Sequence, residues 1–493
     1  MRALVSVYDK EGLVPFVKRL VAVGYEIVSS GGTASALSDA GIEVLSVESV
    51  TGSPEMLGGR VKTLHPKIHG GILARGDEDD ADLAAHDIGR FDLVVCNLYP
   101  FRETAAQPGA TESEIIEKID IGGSAMLRAA AKNHRFVGVV VSPDQYDEVA
   151  TAVESGGLDR RLRRRLAADA FFATASYDAA IVGWIGDDVV LPLRHRGELR
   201  YGENPHQEAA IYRDEGASAW WADAVQLQGK EMSFNNYADT EAAWRLVTDL
   251  GAGTVAVVKH TNAAGAARGG SISDAFNRAW DGDSLAAFGG VVAINGAIDT
   301  VTAETMGGLF IEVVIASEIE DDAAEMLAAK QNLRVLIAPP TAGNDLDYRR
   351  IDGGFLAQRR DEVALEGWEV VSNRTPTVEE TEALQFAWIV AAHTKSNAIV
   401  IANGPQTVGV GAGDQSRVGA AERAVAKAGE RARGGVAASD AFFPFRDGLD
   451  TLSAAGVTAV AEPGGSRNDQ EVIAAADEHG IALVFTHRRH FRH

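Results

Sequence analysis

Apolar and polar positions alternate along the first half of the chain in two kinds of block. RALVSVY is an apolar run of strand length. LVPFVKRLVAVG spaces its apolar residues three and four apart and closes at Gly24, the pattern of an amphipathic helix. YEIVSS, TASALSDAG and IEVLSV repeat the strand–helix–strand sequence, and FDLVVCNLYPF and RFVGVVVS add two strong apolar runs. Short strands alternating with helical stretches predict a parallel, doubly wound α/β sheet. In such a sheet ligands bind beyond the carboxyl ends of the strands, so the residues that follow each strand carry the most information.

The alternation breaks between about Gly183 and Pro192, which places a domain boundary near residues 186–198. A second, longer α/β region follows, with TVAVVKH, GGVVAIN, IEVVIA, AIVIANG, TVGVGAG and ALVFTH as its strands. The stretches near 255–320 and 395–490 are both strand-rich, as a duplicated fold would be, yet no clear sequence repeat relates them. The acidic run from Asp77 to Asp82 reads as a solvated loop. RRLRRR, from Arg160 to Arg165, reads as a solvated helix face or a subunit contact ahead of an anion attractor.

Composition narrows the chemistry. At 493 residues the chain has room for about three domains. Its formal charge of −24 argues against generic nucleic-acid binding, while leaving room for a local basic pocket. A single cysteine, Cys96, rules out an intramolecular disulfide and thiolate-rich metal sites, and points to a reducing cytoplasm. No apolar run reaches the roughly 18 residues of a membrane span, and the N-terminus has no long apolar signal segment. There is no G-x-x-x-x-G-K-[ST] loop and no G-x-S-x-G elbow. In VGVGAGDQSR, Asp414 stands where a dinucleotide fingerprint needs its third glycine. His65 and His69 lie four apart, but Pro66 interrupts a helix between them and the Glu of HExxH is missing, so no metal site is expected.

Four strand-end clusters remain. SSGGT, Ser29 to Thr33, offers backbone N–H groups, a hydroxyl and a helix start to an anion, although alone it reads as an ordinary capped turn. GGRVKTLHP sets Arg60 and Lys62 beside Thr63, two cations suited to a phosphate. CNLYPF ends a strand with Asn97 and Tyr99. IDIGGSAMLRAAAKNH presents Asp120 before two glycines and carries Lys132; Asp120 equally suits a helix cap.

Together, GGRVKTLHPKIHGGILAR, CNLYPF, IDIGGSAMLRAAAKNH, LRYGENPHQ, LQGKEMSFNNYADTEAA, VVKHTNAAGAA, KSNAIVIANG, SDAFFPFRDG and PGGSRNDQEVI closely resemble the bifunctional purine-biosynthesis family that combines AICAR transformylase with IMP cyclohydrolase. The likeness spans essentially the whole chain. It implies a methylglyoxal-synthase-like doubly wound domain over 1–190 that closes formyl-AICAR to IMP. It implies a duplicated cytidine-deaminase-like α/β domain without zinc over 195–493, which transfers the formyl group of 10-formyltetrahydrofolate to AICAR. By this resemblance Lys62 holds the oxyanion, Tyr99, Asp120 and Lys132 are catalytic, and Ser6, Lys10, Ser30, Gly32, Thr33, Arg60 and Thr63 bind the nucleotide. Tyr8 departs from the small serine usual there, which bears on the phosphate pocket.

In the second domain the resemblance makes His260 the base for the AICAR amine and Lys259 the support for the tetrahedral intermediate or the acid for the leaving nitrogen. Adjacent strand residues face opposite ways, so the two act together only if the strand has ended. Asn397 is implied to polarise the formyl group or hold the folate. Arg200, Tyr201, His206, Glu312, Arg417, Phe442 and Arg489 are implied as ligand contacts, Glu312 at the pterin. No tightly bound cofactor or metal is implied. Folate enters as co-substrate, and a cytoplasmic homodimer is expected, with no nucleic-acid or membrane partner. Two alternatives stand beside this reading: a nucleotide-binding regulatory module, and a chain that retains only one of the two activities.

Overall fold

The computed structural model describes residues 1–215, 219–341 and 346–493, in two compact units. The first is Met1–Arg194 joined by Asp214 and Glu215; the second takes His195–Arg213 and the described chain from Ala219 to His493.

In the first unit β1 (Arg2–Val7), β2 (Glu26–Ser29), β3 (Leu45–Ser46), β4 (Leu93–Asn97) and β5 (Gly138–Val140) form one sheet in the order β3-β2-β1-β4-β5. Every pairing is parallel. The doubly wound sheet anticipated from the apolar runs is therefore present. Its strands are buried almost throughout, as covering helices require. The strand order reverses between β1 and β4, which opens a crevice at their carboxyl ends. The helix Leu13–Ala22 ends just before Gly24, which has a left-handed φ of 91°, as its sequence indicated. Phe16 on that helix stacks on Tyr146 at 4.4 Å.

Two expectations change. The acidic run is not a loop: it forms the helical turns Gly76–Asp79 and Asp80–Ala85, steadied by Arg75 and Arg90 paired with Asp79 and Asp80. IEVLSV contributes only the two residues of β3. Arg160–Arg165 begin the long helix Arg160–Ile185 and are mostly exposed.

The ribbon β6 (Leu193–Leu199) and β7 (Ala209–Asp214) lies mostly in the second unit. Then come β8 (Val225–Gln228), β9 (Thr254–Lys259), β10 (Asn262–Arg268), β11 (Val291–Ile298), β12 (Val313–Ile319) and β13 (Arg334–Ile337), in the order β10-β9-β11-β12-β13-β8. After the hairpin β14 (Leu346–Ile351) and β15 (Gly354–Arg359), a second six-stranded sheet is built from β16 (Glu369–Val370), β17 (Ile399–Ala402), β18 (Thr407–Gly411), β19 (Val436–Ser439), β20 (Ala459–Glu462) and β21 (Ala482–Phe485). Its order, β18-β17-β19-β20-β21-β16, repeats the first sheet strand for strand. The directions repeat too: two antiparallel pairings, two parallel, one antiparallel. The duplication suspected from two strand-rich stretches is a duplication of topology. The helices Phe234–Leu250 and Val378–Ala392 each precede the hairpin of their sheet and bury Trp244 and Trp388 in one core shared by both halves. Removing either ring would cost about 3–5 kcal/mol.

Candidate active site

The four strand-end clusters of the first unit converge on one cleft of about 680 Å³ at the β1/β4 switch point. Ser6, Lys10, Ser30, Gly32, Thr33, Arg60, Lys62, Thr63, Tyr99 and Asp120 all line it. Loop closure explains how distant motifs meet. A bridge between Met56 and Val61 folds Leu57–Arg60 back on itself and delivers Lys62 to the SSGGT turn. A Cβ on Gly31 would lie 3.2 Å from the Lys62 ammonium, and one on Gly122 would lie 3.0 Å from the Thr63 hydroxyl. A side chain at either position would push the Lys62 or Thr63 group by a few tenths of an ångström, and Gly31 also holds a left-handed φ of 53°.

The helix Gly31–Asp39 starts at Ser30, whose side chain makes no cap hydrogen bond. Ser30 to Thr33 line the cleft, where the positive end of the helix favours an anion. Thr33 differs from expectation: its hydroxyl donates to the Val7 carbonyl at 2.9 Å and accepts the Val7 amide at 3.1 Å. It locks the end of β1, and only its backbone remains for a nucleotide. Asn97 clamps the loop after β1, accepting the amides of Tyr8 at 2.6 Å and Asp9 at 3.0 Å. Tyr8 points its ring edgewise at Tyr99, 5.8 Å between centroids, and Lys118 lies 5.4 Å over the Tyr8 ring.

The cations have acidic partners that the motifs did not reveal. Lys62 pairs with Glu55 at 3.1 Å, and Arg60 pairs with Glu117. Each pair keeps a cation beside a carboxylate at the cleft. Asp120 caps the helix Ile121–Lys132 by accepting the Gly123 amide at 2.7 Å. Burial pushes its carboxyl above the usual aspartate range, while hydrogen bonds from the Gly123 and Tyr99 backbones oppose the shift. Burial, with the charge of Asp120 beside it, likewise raises the Tyr99 phenol. Lys132 stands apart from these groups. It ends the helix that Asp120 begins, roughly 17 Å away at 1.5 Å per residue, and it is exposed and outside the cleft.

In the second unit β9 ends at Lys259, and His260 and Thr261 form the tip of the β9–β10 hairpin, with Asn262 paired back to Lys259. The strand has therefore ended before His260, which frees it from facing opposite Lys259. The Lys259 ammonium donates to the Phe288 carbonyl at 2.8 Å. Asn262 joins this tip to the KSN segment by accepting the Lys395 amide at 2.9 Å. Asn397 donates to the Asp414 carbonyl at 2.9 Å and accepts from Arg417 at 2.8 Å. Arg417, implied as a ligand contact, is instead only 6% exposed and ion-paired with the fully buried Asp440. It holds Asn397 from within the fold.

Glu312 is ion-paired with Arg334 at 2.9 Å. Arg200 lies 4.8 Å over the Tyr201 ring and donates to its hydroxyl at 2.9 Å, while His206 is exposed nearby in sequence. Phe442 is exposed, and Arg489 covers the Phe491 ring. These residues stand in separate partner sets; the Lys259–His260 tip and the Asn397–Arg417 pair are the two groups that hydrogen bonding draws together. Among the described residues no cluster of three metal-ligating side chains occurs, and no helix is long and apolar enough to cross a membrane.

Two units, each with reactive groups where a strand ends, define an enzyme with two reaction sites on one chain. The AICARFT/IMPCHase bienzyme family model matches residues 130–427, and the MGS-like domain model matches residues 12–125. The bifunctional purine biosynthesis protein PurH of Sorangium cellulosum is 49% identical, over 100% of this chain and 99% of its own length. Those of Synechococcus elongatus and Halalkalibacterium halodurans are each 48% identical with the same coverage. The chain belongs to the AICARFT/IMPCHase bienzyme family.

Proposed function

We propose that this chain carries out the last two steps of purine synthesis, transferring a formyl group to AICAR in residues 195–493 and closing formyl-AICAR to IMP in residues 1–190. The observation that carries the reading is the convergence of Arg60, Lys62, Tyr99 and Asp120 on the anion-binding end of one parallel sheet.

In the cyclisation, the carboxamide nitrogen attacks the formyl carbon. Asp120 takes the amide proton, and the Lys62 ammonium supports the oxygen as it becomes negative. That oxygen receives the proton held by Asp120 and a second proton from Tyr99 and leaves as water, while the ring N–H proton lost as the C=N bond forms returns to Tyr99. Tyr99, whose raised phenol pKa keeps it protonated, donates to the departing oxygen. Ser30, the Gly32 and Thr33 amides, Ser6, Lys10, Thr63 and Arg60 take the ribose phosphate. Tyr8 lines the same pocket, with its ring edgewise to Tyr99.

In formyl transfer, the AICAR amine is a weak nucleophile because its lone pair is delocalised. His260 removes its proton during attack. Lys259 holds the formyl oxygen and then protonates the nitrogen that leaves. Asn397, fixed by Arg417, orients the formyl group. Arg200 and Tyr201 contact AICAR, with His206 beside them. Glu312, Phe442 and Arg489 receive the folate. The proposal takes 10-formyltetrahydrofolate as formyl donor and places the enzyme in the cytoplasm as a homodimer. The division of the chain at Arg194 supports the two-domain assignment.

Single substitutions separate the sites. Lys62→Ala should lower cyclisation at least 100-fold and leave formyl transfer within twofold, and His260→Ala should do the reverse. Loss of both activities in each variant, with folding intact, would contradict separate sites.

A further inference from the structure

The tip of the β9–β10 hairpin is strained in a way that its sequence does not accommodate. His260 has φ 53° and Thr261 has φ 60°, so both central residues of a two-residue turn are left-handed. Such turns favour Asn-Gly or Gly-Gly, because a Cβ is crowded there. A β-branched threonine is among the residues least suited to it. Strain of this kind persists only where surrounding contacts over-determine the backbone, and it concentrates at sites of function.

The contacts that hold this turn come from one side chain and its neighbours. Asp239, on the helix Phe234–Leu250, accepts the Thr261 amide at 2.7 Å, and its carboxylate also receives a backbone hydrogen bond from His260. From the other side Asn262 donates to the His260 carbonyl at 3.0 Å, and the Thr261 hydroxyl donates to the same carbonyl at 2.8 Å. The helix that carries Asp239 is itself fixed, with a Ser233–Asn236 capping box at its start and Trp244 buried in the shared core. A rigid helix thus presents one carboxylate to two consecutive amides of a turn that would otherwise relax.

We propose that Asp239 is a positioning residue for formyl transfer: by binding the His260 and Thr261 amides it holds the tip left-handed and keeps the His260 imidazole beside Lys259. This rests on His260 being the base. Asp239 does not touch the reacting atoms. Its effect belongs in the turnover step, since the AICAR and folate contacts lie elsewhere.

The test uses the full chain, with cyclisation of formyl-AICAR as an internal measure of folding. Asp239→Ala should lower kcat for formyl transfer at least tenfold, leave KM for AICAR within about threefold and leave cyclisation unchanged. Asp239→Asn keeps an acceptor oxygen and should retain most of the activity. Thr261→Gly placed in the Asp239→Ala background should recover at least fivefold, because glycine takes the left-handed conformation unaided. Transfer within twofold of the parent in Asp239→Ala would overturn the proposal. So would a loss that the added glycine fails to recover, since the defect would then lie outside the turn. His260→Ala is measured alongside: full transfer activity in that variant would instead remove the reading on which the proposal rests, a result distinguishable from either outcome above.

Discussion

Asp120 does two jobs with one carboxylate. It caps the start of a helix and, in the proposed cyclisation, takes the reacting proton, and burial raises its pKa above the ordinary aspartate value of about 3.9. A base acts only when ionised. The acid limb of cyclisation should therefore lie at higher pH than an exposed aspartate would give, with activity falling as pH drops through the raised value. Asp120→Asn should cost roughly 100-fold or more and abolish that limb. The helix should survive, because asparagine caps about as well as aspartate. A pH–rate profile with the limb unmoved in the variant would assign the proton to another group. At this scale much was legible. The residues in GGRVKT and IDIGG stand out by chemical type, and the fold gathers them. Lys132 was not legible, because a string of letters hides the length of the helix separating it from Asp120. Glu55, Glu117 and Asp239 were equally invisible, since each meets its partner only through tertiary closure.

The loop Leu57–Arg60 shows how an element positions a side chain beyond its own ends. Gly59 has φ 94°, and a Cβ there would come within 2.5 Å of the Glu55 carboxylate and 2.7 Å of Lys62 Cε. Gly59→Ala should thus displace the Lys62–Glu55 pair. It should destabilise the first unit by about 1 kcal/mol or more and lower cyclisation on the order of 100-fold, while formyl transfer continues. Paired activity assays and a thermal melt check both parts; unchanged cyclisation would mean that the lysine does not depend on this loop. Strand positions were readable from apolar runs because burial on both faces leaves only apolar residues there. The ends of elements were less readable. IEVLSV looks like a full strand but pairs over two residues, and the acidic run folds into helical turns once Arg75 and Arg90 offset its charge.

Across the whole molecule, the second unit repeats one six-stranded topology with scarcely a trace in its sequence. Burial constrains which positions are apolar and leaves their identity free, so a duplicated fold can outlast its repeat. The two halves are not equivalent chemically. One hairpin carries Lys259 and His260 at its tip, and its counterpart between β17 and β18 carries Asn403 to Gln406. The first unit keeps its own core and its own cleft, so the two reactions should be separable by mutation yet sequential on one substrate. The most direct measurement supplies the purified chain with AICAR and 10-formyltetrahydrofolate and follows tetrahydrofolate, formyl-AICAR and IMP together. Two working sites predict that tetrahydrofolate and IMP rise in step. Nucleotide binding without turnover, or tetrahydrofolate released while formyl-AICAR accumulates, would contradict them.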